Sequence, residues 1–227
     1  MRIDLLLHNP IFGLALTVLL YSSVYLLKNK KKIRWLHPLI AASAFIIIIL
    51  EAGGISYDTY RLGADIVSWA LGPATVALAV PLYKHASLIR SKLAPVLAGI
   101  TVGAFISAAS TVSLLHLSGA SADLLYSAVA KSSSAPFSMA VAERQGGIPE
   151  LAAALSVMTG LFGSLAGPLF LRLCGIRDDL SVGAAIGTSS HGIGTARLVA
   201  NSETQGSVSG FAMAAAGIVT TIMMLFF

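Results

Sequence analysis

Lys131, His191 and Arg197 are basic side chains set inside long apolar stretches. Holding an ionisable group at membrane depth costs about 2.5–3.5 kcal/mol even on a lenient insertion scale, so each needs a partner or a purpose. Hydroxyls crowd the same places: Ser132, Ser133, Ser134 and Ser138 beside Lys131, Thr188, Ser189, Ser190 and Thr195 around His191, and Thr75 in a third polar interruption. Cations and neutral donors of these types neutralise and hydrogen-bond a small anion. The chemistry they point to is recognition of a small polar ligand such as a short carboxylate, held by hydroxyls and one or two cations.

Each residue also has an ordinary reading. Lys131 could snorkel or pair with Asp123, Arg197 could anchor its segment at an interface, and His191 could be a neutral histidine bonded to a carbonyl. Single serines are more often contacts between helices than ligands; their concentration at interruptions sets these apart. Enzyme motifs fail. Ser189 lacks the following glycine of a nucleophile elbow, Ser190 is preceded by Thr188 where glycine is needed, and Gly192-Ile193-Gly194 is a fragment of a dinucleotide fingerprint. No carboxylate pair at depth, HExxH or Cys/His metal spacing occurs. No catalytic residue, cofactor or metal is expected. Glu51 and Asp65 flank segment ends, which disfavours cation exchange.

The elements that must position these residues are membrane segments. The 227-residue chain is 56% hydrophobic and 11% charged, with a mean hydropathy of +0.83. Soluble domains carry about 25% charged residues, so this surface belongs in lipid. At about 20 residues per crossing the length allows about seven or eight segments and excludes a fused soluble domain. The fold class is an all-α integral membrane protein, one polytopic domain over 1–227. The net charge of +5 is not a nucleic-acid footprint. Lys28, Lys30, Lys31, Lys32 and Arg34 share one short loop, and Lys84, Arg90 and Lys92 another, the pattern of cytoplasmic loops. The N-terminus is then outside. Met1–Leu27 reads as a retained helix, because the basic cluster follows the apolar run and no small-x-small cleavage site ends it. The lone Cys174 excludes an internal disulfide.

Apolar runs fall near 10–27, 38–54, 60–83, 93–117, 122–142, 149–172, 181–200 and 207–227. Five read as continuous helices. The runs over 60–83, 122–142 and 181–200 are interrupted at 71–75, 131–136 and 187–195. Irregular backbone survives at membrane depth only where protein or a watery cavity satisfies it, so three interruptions predict one shared interior site. Pro73 and Pro136 suit the first turn of restarted helices, whose free N–H groups favour an anion. Gly72 and Gly187 are 115 residues apart and the runs at 93 and 207 are 114 apart, which suggests repeat halves 1–117 and 118–227; a competing echo aligns Pro73 with Pro136. Four full crossings per half would make the repeats parallel, whereas a re-entrant hairpin would allow the inverted arrangement common in transporters.

Leu71-Gly-Pro-Ala-Thr-Val-Ala-Leu-Ala-Val-Pro-Leu-Tyr-Lys84, Lys131-Ser-Ser-Ser-Ala-Pro136, Gly146-Gly-Ile-Pro149 and Gly187-Thr-Ser-Ser-His-Gly-Ile-Gly-Thr-Ala-Arg197 together resemble the LrgB/CidB family, from about residue 5 to the end. That family includes bacterial proteins described as antiholin-like and the C-terminal half of the plastid glycolate/glycerate translocator. Where the family usually reads Pro-Lys-Ser-Val-Thr-Thr-Pro, this chain has Ala130-Lys131-Ser132-Ser133-Ser134-Ala135-Pro136, keeping most hydroxyls and losing the first proline. The resemblance implies a bacterial inner-membrane protein with one of two roles: transport of glycolate, glycerate or pyruvate, or modulation of murein hydrolases with a small holin-like LrgA/CidA partner. The interruptions favour the first. The expected substrate site comprises Gly72, Pro73, Thr75, Lys131, Ser132, Ser133, Ser134, Pro136, Thr188, Ser189, Ser190, His191, Gly194, Thr195 and Arg197, with the bilayer and a second copy of the chain as further partners.

Overall fold

The computed structural model describes residues 9–31, 38–77 and 79–225; Lys32 and Arg34 of the first basic cluster lie outside them, as do the first residues of the Met1–Leu27 stretch. The described secondary structure is helical throughout, as expected. Contacts divide the chain into two compact units, Met1–Ala77 and Leu78–Phe227.

The first unit holds α1 (Pro10–Lys31), α2 (Pro38–Gly53), α3 (Tyr57–Trp69) and α4 (Leu71–Ala77). α3 starts at Ser56, whose hydroxyl accepts from the Thr59 N–H at 3.3 Å and satisfies one free donor of the first turn. It packs on α1 where Gly13 faces the Tyr60 carbonyl and Gly63 the Pro10 carbonyl; a Cβ at either position would strike backbone. Thr17 and Tyr60 join hydroxyls across the contact at 2.8 Å. α3 ends at Trp69 and α4 begins at Leu71, so Gly72 and Pro73 occupy the first turn of a restarted helix.

The second unit contains α5 (Ala79–Lys84), α6 (Ala86–Ser91), α7 (Leu93–Leu117), α8 (Ala122–Ala128), α9 (Ala135–Gln145), α10 (Pro149–Leu173), α11 (Asp179–Val199) and α12 (Glu203–Met224). α7, α10 and α12, with α1 of the first unit, are long and apolar enough to cross a membrane: at 1.5 Å per residue each exceeds the hydrocarbon thickness of about 30 Å.

α11 is two helices folded back on each other. His191 has φ 37° and ψ −131°. In a continuous helix residues 186 and 194 would be separated by about 12 Å along the axis. Here a Cβ on Gly194 would lie 2.6 Å from Cγ2 of Ile186, and Leu198 shares an apolar cluster with Val182 and Ile186. The chain therefore enters as 179–190, turns at His191 and returns as 192–199. α12 runs parallel to the first arm, with Gly183 against Val208 and Gly187 against Ala212, and antiparallel to the second, with Gly206 against Val199. At the base Asp178 caps the first arm by accepting from the Ser181 N–H at 2.9 Å, and Gln205 Nε2 donates to Asp179 at 2.7 Å.

A second hairpin enters from the opposite end. It leaves α7 through Gly119, inserts as α8 and the irregular turn 129–134, and comes back as α9, which stops at Gly146 with φ 82°. Just past α9, the Ile148 N–H donates to Ser127 Oγ in the last turn of α8 at 2.7 Å. The hairpin's inner turn is closed by Ser133 Oγ and Ser138 Oγ, which donate to the Ala130 carbonyl at 2.8 and 2.7 Å. The unit is thus three long helices of alternating direction with one re-entrant hairpin from each end; helix parity in the sequence leaves open whether any interrupted segment is re-entrant, and two of them are.

Candidate functional site

The two hairpin tips meet against the middle of α10. Ser156 Oγ donates to the Ser133 carbonyl at 2.6 Å and lies 3.4 Å from Nε2 of His191. One small hydroxyl therefore ties the interruption at 131–136 to the one at 187–195. His191 is buried and is the described non-glycine residue with positive φ, a conformation that costs an L-residue about 1–2 kcal/mol and persists where its surroundings hold it. Gly160 holds it from below: a Cβ there would be 2.6 Å from the imidazole Cε1.

From the end marked by Lys92, Asp178 and Ser181, a cavity of about 700 Å³ runs inward to Ser107, Ser132, Thr188 and Ser189. Its approach is walled by Val96, Ile100, Leu171 and Leu180. Ser107 stands about 21 Å along α7 from Leu93, at 1.5 Å per residue, so the polar floor lies near mid-depth. Ser107 and Ser132 share a hydrogen bond of 2.5 Å. Thr188 Oγ1 and Ser189 Oγ donate to the carbonyls of Ala184 and Ala185, each at 2.8 Å, and Ser189 Oγ also meets Ser190 Oγ at 3.2 Å; rotation of either hydroxyl would free a proton for a ligand. At the mouth, the Ser181 backbone N–H holds the Asp178 carboxyl below the usual carboxylate range.

The expected site residues separate into groups. Ser132, Thr188 and Ser189 line the cavity floor. Ser133, Ser190, His191, Gly194 and Thr195 are buried just behind it: Thr195 bonds to the His191 carbonyl at 2.7 Å and to Ser209 at 2.8 Å. Ser134 stands at the N-cap position of α9 without a side-chain capping bond, and Pro136 sits in the first turn, as the proline's missing N–H suggested. Lys131 is half-buried in the turn, and no hydrogen bond or ion pair engages its ammonium among the described residues, so the Asp123 pairing is not made. Arg197 is exposed and donates to the Ser164 carbonyl in α10. Gly72, Pro73 and Thr75 belong to the other unit; Gly72 and Pro73 are exposed there. Sequence reasoning missed Ser107, Ser156 and Ser164, which lie in runs read as plain helices. The repeated spacing Gly103-x-x-x-Ser107 and Gly160-x-x-x-Ser164 was the available signal.

This arrangement, an all-helical multi-pass membrane protein with opposed hairpins meeting on a hydroxyl-rich floor, defines the class. The chain belongs to the LrgB-like family, which matches residues 17–227. It is 31% identical over 210 residues to uncharacterized protein YwbG of Bacillus subtilis strain 168, covering 92% of this chain and 93% of that one. It is 32% identical over 200 residues to uncharacterized protein YxaC of the same strain, covering 88% and 87%, and 25% identical over 220 residues to antiholin-like protein LrgB of Bacillus mycoides strain KBAB4, covering 96% of each. No solved structure matches the chain.

Proposed function

We propose that this protein is a transporter or facilitator of small monocarboxylates of the glycolate, glycerate and pyruvate type. The observation that carries the reading is the meeting of two re-entrant turns near mid-depth through Ser156, beside a cavity that ends on hydroxyls. Interrupted backbone at that depth is costly unless it lines a path or is buried in protein. The restarted arm at Ala135 and the returning arm at Gly192 direct helix N-termini to the centre, where an anion is favoured. Lys131, in the turn next to Ser132 but outside the cavity lining, supplies the positive charge, His191 fixes the turn, and Ser132, Thr188 and Ser189 supply hydroxyls at the floor. Apolar cavity walls contribute little to a charged acid, so selection falls to this floor. Lys84, Arg90, Lys92, Arg172 and Arg177 flank the cavity end of α7 and α10, which makes that end cytoplasmic by the positive-inside rule and the present cavity inward-facing.

The test is uptake of labelled glycolate, glycerate and pyruvate by proteoliposomes of the purified chain, with and without a small holin-like membrane partner. Uptake is expected and should be lost in Lys131→Ala and His191→Ala that still purify as folded protein. No uptake of any of the three acids sinks the reading. The antiholin-like name of relatives supports a second one, a non-transporting modulator of murein hydrolases acting with that partner; it predicts lysis phenotypes that Lys131→Ala leaves unchanged.

A further inference from the structure

The two hairpin units repeat. α7 with its hairpin and α10 with its hairpin run in opposite directions, and their residues correspond at an offset of 57. At that offset Gly103 pairs with Gly160, Ser107 with Ser164, the caps Ser121 and Asp178 with each other, and Ser132-Ser133 with Ser189-Ser190. The spacing of 114 between the runs at 93 and 207 is twice this period.

An inverted repeat gives each residue on the cavity floor a counterpart facing the other end. The floor is Ser107, Ser132, Thr188 and Ser189. Ser132 and Ser189 are each other's counterparts; Ser107 exchanges for Ser164 and Thr188 for Lys131. Both replacements are unsatisfied in the present structure. Ser164 is buried with no hydrogen-bond partner for Oγ, a state that costs a hydroxyl stability, and the Lys131 ammonium is unengaged among the described residues.

We propose that Ser164, Ser189, Ser132 and Lys131 form a second carboxylate half-site that opens toward the Ser118 end when the Lys92-end cavity closes. The Ser107–Ser132 hydrogen bond gives way to a Ser164–Ser189 bond, while Ser132 and Ser189 stay on the ligand in both states. The proposal rests on the transport reading for its ligand and adds a direction. The cation belongs to the outer half-site and is absent from the inner one, so capture is tight outside and release easy inside.

The test places single cysteines in a Cys174→Ser background and reacts sealed vesicles of either orientation with a membrane-impermeant maleimide. Ser107→Cys should react from the Lys92 face. Ser164→Cys should react from the Ser118 face, at least tenfold faster than from the other, and more slowly when glycolate, glycerate and pyruvate are added. Ala152→Cys, the counterpart of the lining residue Pro95, is a second reporter should Ser164→Cys fold poorly. Uptake that persists while both cysteines stay silent from the Ser118 face, or react there unaffected by the acids, overturns the half-site and leaves the transport reading. Acid-sensitive reactivity in a protein that takes up none of the acids overturns transport and leaves the half-site.

Discussion

Replacing Gly187 by alanine tests the folded-back hairpin directly. A Cβ at that position would lie 2.8 Å from Cα of Ser209 and 2.8 Å from Cβ of Ala212, and would strike the Ser209 carbonyl oxygen. Contacting carbons rest about 3.5–4.0 Å apart, so the first arm and α12 must separate by about 1 Å. No side chain can rotate away to prevent it, because Ser209 presents backbone. Overpacking of this kind costs about 1–3 kcal/mol, here at the upper end, and the better helix propensity of alanine returns about 1 kcal/mol. The net loss is about 2 kcal/mol, or roughly 30-fold in the folding equilibrium. Gly192, just past the turn, is the control: its Cβ would meet the Met213 sulfur at 3.8 Å, an ordinary contact, so Gly192→Ala should be neutral or slightly stabilising. Reversible unfolding in mixed micelles, titrated with sodium dodecyl sulfate and followed by far-ultraviolet circular dichroism, reads both. If Gly187→Ala is as stable as the parent, or if both variants lose equally, the packing of the arm on α12 is wrong.

Ser156→Ala should cost about 1–3 kcal/mol by stripping a buried carbonyl of its main donor, and should slow uptake by loosening both tips at once; the same titration and the liposome assay read the two effects. Asp178→Ala should cost about 1 kcal/mol through the lost helix cap, whereas Asp178→Asn, which caps as well, should cost little. Because the Asp178 carboxyl is held below its ordinary value by the Ser181 N–H, the charge-dependent part of its stabilisation is complete above the unfolded value of about 3.9 and is lost as pH falls through the lower folded value. Parent and Asp178→Asn should therefore keep a constant difference from pH 7 to 5 and converge below about pH 4 in unfolding titrations.

The membrane segments of the second unit were legible because each is an apolar run bounded by turn residues. The runs over 93–117, 149–172 and 207–227 correspond to α7, α10 and α12, and the interrupted ones over 122–142 and 181–200 to the two hairpins. The reversal was harder to place. Three glycines at 187, 192 and 194 invite the turn, yet His191 carries the positive φ. Gly187 and Gly194 are used for close approach instead, to α12 and to Ile186. A turn residue held by packing leaves no local signature, since the force that keeps it strained comes from Gly160 and Ser156 on another helix. The hydroxyls of Ser107 and Ser156 were hidden for a related reason: a lone serine in an apolar helix usually satisfies its own backbone, and only the folded chain shows a partner on another helix.

The charge at the centre is spare. Of the three basic residues that the sequence set apart, Arg197 is engaged by the Ser164 carbonyl and His191 forms the turn itself. Lys131 alone retains an unengaged cation among these three. One cation beside hydroxyl donors balances one carboxylate. A dicarboxylate would leave a negative charge uncompensated at a depth where an unpaired ion costs about 2.5 kcal/mol or more. On the proposed reading, hydroxyls carry the rest of the recognition at lower cost, because a serine that loses its ligand returns its proton to its own helix, so that Thr188 and Ser189 keep their Ala184 and Ala185 partners when the site is empty.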